Sequence, residues 1–161
     1  MITPSVRRNR KRQSGSAILE FAIGSGILVA VFTGTFQFGY SFYVYDNLQT
    51  AVNNGAKYAA LRAYEPTDST PEDCFKTAVQ DMVVYGDPTG TNKTTVAPGL
   101  APANVFLNVT FTNGVPTAMN VGIANYTINA AVATIALVNK PQATYPYLGR
   151  YAEGDGEACV Q

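Results

Sequence analysis

One carboxylate, Glu20, lies within a long apolar segment near the N-terminus of this 161-residue chain. Between Ala17 and Val44 the only other ionisable groups are the phenols of Tyr40 and Tyr43. An uncompensated charge in hydrocarbon is costly, so an acid inside a membrane usually has a partner or a task. The residues alone leave two interpretations open: Glu20 has an electrostatic partner, or it lies shallow enough to reach the headgroups unaided.

The other residues able to do chemistry are few. Because the chain has no histidine, its two cysteines, Cys74 and Cys159, are not expected to form a metal site or a Cys/His nucleophile. In an oxidising compartment they predict one structural disulfide. The acids at 153–157 alternate with glycine but lack the full spacing of a calcium loop. We expect no catalytic residue, no metal, no cofactor and no small-molecule substrate.

A basic block precedes Glu20 in the sequence, and an apolar helix is predicted to contain it. The basic residues at the N-terminus have no acid among them, whereas the chain after Gly15 has six basic and eleven acidic residues. Beside an apolar segment, such a block indicates membrane topology, so no nucleic-acid partner is expected. The block consists of Arg7, Arg8, Arg10, Lys11 and Arg12.

The apolar segment is long enough to span a bilayer. Residues 17–44 would form a helix about 42 Å long, against roughly 30 Å of hydrocarbon. The segment is too long for a secretory signal and ends in an aromatic cluster at 36–45, which is typical of the far membrane interface. The basic N-terminus is therefore expected in the cytoplasm, residues 46 onward are expected to be exported, and the chain is expected to cross the membrane once.

Four small residues recur at every fourth position of this helix. Such spacing is typical of faces on which transmembrane helices pack closely, although glycine and alanine are common in membrane helices in any case. The predicted packing face consists of Ala22, Gly26, Ala30 and Gly34.

The exported part has the pattern of an α+β domain. Small and apolar residues at helical spacing predict that the first helix continues to about Arg62. A second helix is predicted after Thr70-Pro71, with one apolar stripe that includes Phe75 and Val83, and it should end near Gly86. A loop then precedes strands with alternating apolar residues, and the tail after Pro141 has an irregular pattern.

Two motifs together resemble a known family. Gly15-Ser-Ala-Ile-Leu-Glu20-Phe21 heads the apolar helix, as in the type IV pilin signature. With the aromatic stretch 37–45 and Ala51-Val-Asn-Asn-Gly-Ala-Lys57, the sequence looks like the TadE-like family. These proteins are minor pilins or pseudopilins of tight-adherence (Tad) pilus systems, so the resemblance implies a pilin-like fold and a role in assembly and adhesion rather than catalysis.

The resemblance also implies a processing event between Gly15 and Ser16. A prepilin peptidase would cut there on the cytoplasmic side, and glycine lets an enzyme approach the backbone closely. Removal of the leader would take away five positive charges and loosen the cytoplasmic anchor. Glu20, with Phe21 beside it, would then set the register by pairing with the new amino terminus of a neighbouring subunit.

The resulting organisation has four segments. The expected partners are the prepilin peptidase, other pilins, the Tad assembly platform and the bacterial inner membrane, with the pilus itself as a possible final location. The alternative is an unprocessed, signal-anchored periplasmic scaffold or binding protein, which would have the same topology. The predicted segments are a basic leader at 1–15, a transmembrane helix at 16–45, its amphipathic extension at 46–63 and an exported α+β domain at 64–161.

Overall fold

A long helix, a second helix and small antiparallel sheets make up the fold, which confirms the predicted α+β pilin-like layout. The computed structural model describes residues 13–62, 73–113, 115–130 and 132–149. The helices are α1 (Gln13–Leu61) and α2 (Asp73–Tyr85), with a short 3-10 helix at Pro102–Asn104. The strands are β1 (Val105–Thr112), β2 (Val115–Ile123), β3 (Tyr126–Asn129), β4 (Thr134–Leu137) and β5 (Gln142–Pro146).

The chain divides into two compact units, Met1–Gly39 and Tyr40–Gln161, and α1 contributes residues to both. The four predicted segments have different boundaries from these units and stay predictions. In the second unit, α1 buries one face in the hydrophobic core, at the helical spacing that the sequence predicted. The buried residues of this face include Val44, Leu48, Ala51, Val52, Ala56, Ala59 and Ala60.

Helix α2 packs on the same core through the predicted apolar stripe, with Phe75, Val79 and Val83 all buried. It ends at Tyr85, and the next residue, Gly86, has a φ of 70° that favours glycine and donates its N–H to the carbonyl of Met82 at 3.1 Å. Helix α2 meets α1 at Gly55, where a Cβ atom would overlap the Val83 side chain. The absence of a side chain at this glycine therefore sets how closely the two helices approach.

The loop after α2 is organised by one carboxylate, that of Asp87. Its Oδ1 accepts hydrogen bonds from the backbone N–H of Thr89 at 3.0 Å and from its hydroxyl at 2.7 Å. Its Oδ2 accepts from the backbone N–H groups of Thr91 at 3.2 Å and Asn92 at 3.1 Å. These donors, that of the Thr89 side chain above all, hold the pKa of Asp87 below its ordinary value.

Strand β2 is the centre of a three-stranded antiparallel sheet with the order β1-β2-β5. The register pairs Val105 with Ile123 at one end of β1 and Thr112 with Val115 at the other. The register shifts between Thr110 and Phe111, and the Thr117 hydroxyl donates to the Thr110 carbonyl at 3.0 Å. The predicted alternation of β1 therefore produces a strand, but with an irregularity that the sequence pattern did not indicate.

Strand β5 corrects the prediction that the tail after Pro141 is irregular. Ala143 pairs with Val121, and Pro146 pairs with Ala118 at the far end of the strand. Pro141 directly precedes β5 and Pro146 is its last residue, and β5 is an edge strand, which is where a residue without an N–H is tolerated. The carbonyl of Pro141 accepts a hydrogen bond from the N–H of Ile123 at 3.0 Å.

Strands β3 and β4 form a separate two-stranded antiparallel sheet, in which Tyr126 pairs with Leu137 and Asn129 with Thr134. The alternation of apolar residues from Met119 to Val138 alone is also compatible with a single long strand bent at Gly122 or Ala130. The structure instead ends β2 at Ile123 and begins β3 at Tyr126, after Asn125 with a φ of 55°.

Several predicted features lie outside the described residues. They are the basic block at 7–12, the Thr70-Pro71 cap of α2, the acidic stretch at 153–157 and Cys159.

Candidate assembly helix

The residues of the predicted processing and register site lie in the first turns of α1. Residues 15–20 are all exposed, and Phe21 is 77% exposed. No atom comes within 4 Å of the place where a Cβ of Gly15 would stand. Glu20 follows Ser16 by one turn, about 6 Å along the helix axis and on the same face. The structure thus groups Gly15, Ser16, Glu20 and Phe21 on an open surface.

Around Glu20, α1 presents an apolar surface on all sides. One window of 18 residues has a mean hydropathy of 1.9 and none of it is buried, so the helix is long and apolar enough to cross a membrane. Two hydroxyls in this surface bond back to the helix, from Ser25 to the Ala22 carbonyl and from Thr35 to the Val31 carbonyl. Such internal bonds are what polar groups in hydrocarbon require, and the helix fits a single-pass anchor.

The four small residues share this open surface. Ala22, Gly26 and Ala30 are exposed, and Gly34 is partly exposed. A Cβ added at Gly26 or Gly34 would meet no atom within 4 Å. The face is therefore free of other described parts of the chain, and its use in helix packing stays a prediction.

The aromatic cluster divides between core and surface where α1 enters the second unit. Phe42 is 71% exposed and Tyr43 is 65% exposed, whereas Val44 is buried at 2%. Tyr40 and Tyr45 are partly buried against the hydrophobic core. The sequence predicted one interfacial cluster, but the structure shows that only part of it is exposed.

Tyr126 is a positioning residue that the sequence did not identify. It is 5% exposed, and its hydroxyl donates a hydrogen bond to the Pro98 carbonyl at 2.7 Å. Burial raises the pKa of Tyr126, and the nearby phenol of Tyr40 raises it further. Tyr126 thus ties β3 to the loop at Pro98, within the hydrophobic core against which Tyr40 packs. No sequence motif distinguishes this tyrosine from the nine others.

The Asn104 side chain stabilises the turn between β2 and β3, which precedes Tyr126. Its Oδ1 accepts from the N–H of Ala101 at 3.1 Å, and its Nδ2 donates to the carbonyls of Ala124 at 3.3 Å and Asn125 at 3.0 Å. The backbone carbonyl of Asn104 accepts from the N–H of Ala124 at 2.8 Å. The side chain therefore ties the start of β1 to the turn between β2 and β3.

Replacing Tyr126 with phenylalanine is expected to lower the free energy of unfolding by about 1 kcal/mol, because the ring stays and one buried hydrogen bond is lost. Chemical denaturation of the full chain in detergent, followed by circular dichroism, measures this change. Tyr43→Phe is the matched control, because this exposed phenol is expected to change stability by less than about 0.5 kcal/mol. Equal stability of the two variants would show that the bond to Pro98 contributes nothing.

Of the predicted disulfide, the structure describes one end only. Cys74 is exposed in the first turn of α2. Because Cys159 lies outside the described residues, the pairing of Cys74 with Cys159 stays a prediction.

The comparison with protein families agrees with the motifs of the helix. Residues 15–57 match the family model of the TadE-like protein, which confirms the resemblance read from the sequence. The match covers the exposed start of α1, the apolar span and most of the face that packs in the second unit. No curated protein and no solved structure matches the chain.

Proposed function

We propose that this chain, whose residues 15–57 match the TadE-like family, is a minor pilin or pseudopilin that functions in the assembly of a Tad-type pilus. A prepilin peptidase cuts it between Gly15 and Ser16, and other pilins and the assembly platform are its partners. Its role is assembly and adhesion rather than catalysis. The observation that carries the proposal is the family match over a helix whose Gly15-to-Phe21 motif is exposed.

The geometry of α1 supports cleavage and pairing at adjacent positions. The motif is free of other described parts of the chain, so an enzyme and later a neighbouring subunit can both reach it. The apolar surface that follows would lie in the bacterial inner membrane, with the basic end in the cytoplasm. Residues of the second unit would then be exported, because they follow the aromatic end of the span.

The N-terminal residue of the mature protein tests the proposal. Intact mass and N-terminal sequence are measured for the chain recovered from its native membranes and from sheared surface material. We expect a chain that begins at Ser16, and its presence in the sheared fraction would place it in the pilus. Gly15→Val should block cleavage, because a branched side chain keeps the peptidase from the backbone.

Ser16→Ala is the matched control. It replaces the residue on the other side of the scissile bond and removes only its hydroxyl, so this variant should still be cleaved. A native chain that begins at Met1, in a host with an active prepilin peptidase, would contradict the proposal. The chain would then be an unprocessed, signal-anchored scaffold or binding protein with the same topology.

A further inference from the structure

The β1-β2-β5 sheet has one face on the hydrophobic core and a second face, which we call the outer face. Val121 in the central strand and Ala143 in β5 are buried in the core. Because successive side chains of a strand point to opposite faces, their neighbours Gly122 and Gln142 lie on the outer face. The register pairs Gly122 with Gln142 on one side and with Phe106 on the other. These three residues form one row across the outer face.

The next row of the outer face is polar. The register pairs Asn108 with Asn120, and Asn120 with Thr144. The Nδ2 of Asn120 donates to the Thr144 hydroxyl at 2.7 Å, which orients the amide of the central strand. Asn108 and Gln142 are exposed, and in the part of the chain that the structure describes their side-chain amides make no hydrogen bond. Both amides can therefore bond to a ligand.

The Phe106 ring lies across the sheet because Gly122 has no side chain. A Cβ atom at position 122 would overlap Cζ and Cε1 of the ring and would stand 2.9 Å from the Cβ of Gln142. Gly122 is buried beneath this contact, whereas Phe106 is partly exposed. The ring therefore covers the backbone of the central strand and presents apolar surface beside the amides.

These side chains line an open cleft of about 360 Å³, which is within the range of small-ligand sites, roughly 300–1,000 Å³. None of the described lining residues is charged, and four of the six have side-chain amides. The lining consists of Phe106, Asn108, Asn120, Ala124, Asn139 and Gln142. The cleft thus combines one aromatic ring with several neutral groups that both donate and accept hydrogen bonds.

We propose that this cleft binds a neutral carbohydrate, with the C–H face of a sugar ring packed on Phe106 and the sugar hydroxyls hydrogen-bonded to the surrounding amides. A side-chain amide has two N–H donors and one acceptor oxygen, and a hydroxyl both donates and accepts. One amide can therefore bond to two neighbouring hydroxyls of a sugar. The inference gives the adhesion part of the proposed function a ligand class, and it rests on that function for the access of the cleft to glycans outside the cell.

The chemistry of the lining favours a neutral sugar over other ligands. A phosphate or carboxylate binds best to charged donors such as arginine, and the described lining has none. An extended peptide adds to the edge of a sheet through backbone groups, whereas this cleft lies on a face and offers side chains. A purely apolar ligand would cover the amides and leave them without partners, which is costly.

Titration of the full chain with free oligosaccharides tests this inference. The chain is kept in a phosphocholine detergent, which has no sugar headgroup, and the NMR signals of its isotope-labelled side-chain amides are followed. Neutral oligosaccharides of glucose, mannose and N-acetylglucosamine are each added to about 10 mM, because a small open cleft should bind weakly. We expect at least one of them to shift the amide signals of Asn108 and Gln142 saturably. The signal of Asn129, which is exposed in β3, should stay unchanged.

Variants of the cleft show whether these groups bind the sugar. Asn108→Leu should weaken binding at least about tenfold, because it removes hydrogen bonds to the sugar and none within the described chain. Asn129→Leu is the matched control, an exposed strand asparagine outside the cleft, and should leave the affinity unchanged. Phe106→Leu should weaken binding, whereas Phe106→Tyr keeps the ring and should preserve it. Unshifted signals elsewhere in the second unit confirm that each variant is folded.

Three results would overturn the inference. They are the absence of a saturable shift with all three sugars, equal affinity of Asn108→Leu and the native chain, and tighter binding of an acidic oligosaccharide such as an oligogalacturonate. A native chain that begins at Ser16 but binds no sugar leaves the proposed function standing. Sugar binding by a chain that begins at Met1 in its native membranes supports the cleft and contradicts the proposed processing.

Discussion

Replacing Glu20 with glutamine is expected to leave cleavage after Gly15 intact but to weaken association with neighbouring pilins by about a hundredfold or more. The carboxylate is exposed on α1, and within the described residues it has no basic partner. In the proposed assembly it pairs with the amino terminus of Ser16 on a neighbour. Removing one partner leaves the other charge unpaired in a medium of low dielectric constant, which costs about 3–5 kcal/mol.

Cross-linking in native membranes and recovery in sheared surface material measure this association, while intact mass shows that processing has occurred. Glu20→Asp is the matched control, since it keeps the charge and shortens the side chain by one methylene. We expect it to keep much of the association. If glutamine assembled as well as glutamate, Glu20 would be only a shallow charge that reaches the headgroups, and the register role would be wrong.

Replacing Gly55 with valine is expected to destabilise the second unit by about 2–3 kcal/mol, through overpacking between α1 and α2. A Cβ at Gly55 would overlap Val83, which is fully buried and, being β-branched, has few alternative rotamers. Chemical denaturation of the full chain in detergent gives the free energy of unfolding. The denaturant dependence should stay unchanged if the variant still folds to the same structure.

Gly39→Val is the matched control for helix propensity and for β-branching. Gly39 lies in the same helix, and a Cβ there would meet no atom within 4 Å. A second test replaces the contacting residue, Val83, with the smaller alanine. In the Val83→Ala background, Gly55→Val should cost less than in the native chain, because the smaller side chain makes room. Equal costs in both backgrounds would show that the contact with Val83 does not limit the approach of the helices.

The sequence predicted those parts of the molecule whose structure depends on residues that are close together along the chain. The helical spacing from Leu48 to Ala59 gave the buried face of α1, and the stripe from Phe75 to Val83 gave that of α2. The motif from Gly15 to Phe21 was visible for the same reason, since its residues lie within two turns of one helix. The period of a helix and the length of a membrane span can both be read without knowledge of the rest of the chain.

The sheets were predicted less well because pairing joins residues that are far apart in the sequence. Prolines at 141 and 146 indicated an irregular tail, but one directly precedes an edge strand and the other ends it, where the loss of an N–H is tolerated. The break between β2 and β3 depends on Asn125 at positive φ and on the amide of Asn104. An alternating pattern does not reveal where a strand stops when its apolar residues continue.

The sequence alone determines three features of this protein. They are an apolar helix with a single acid near its start, a basic segment before that helix, and the motif that resembles TadE-like proteins. These follow from residue type and spacing along one helix. Only the tertiary structure places the Tyr126 hydroxyl on the Pro98 carbonyl and closes α2 onto Gly55. Those features depend on how distant segments pack, and the free energy of packing is not encoded in any short stretch of sequence.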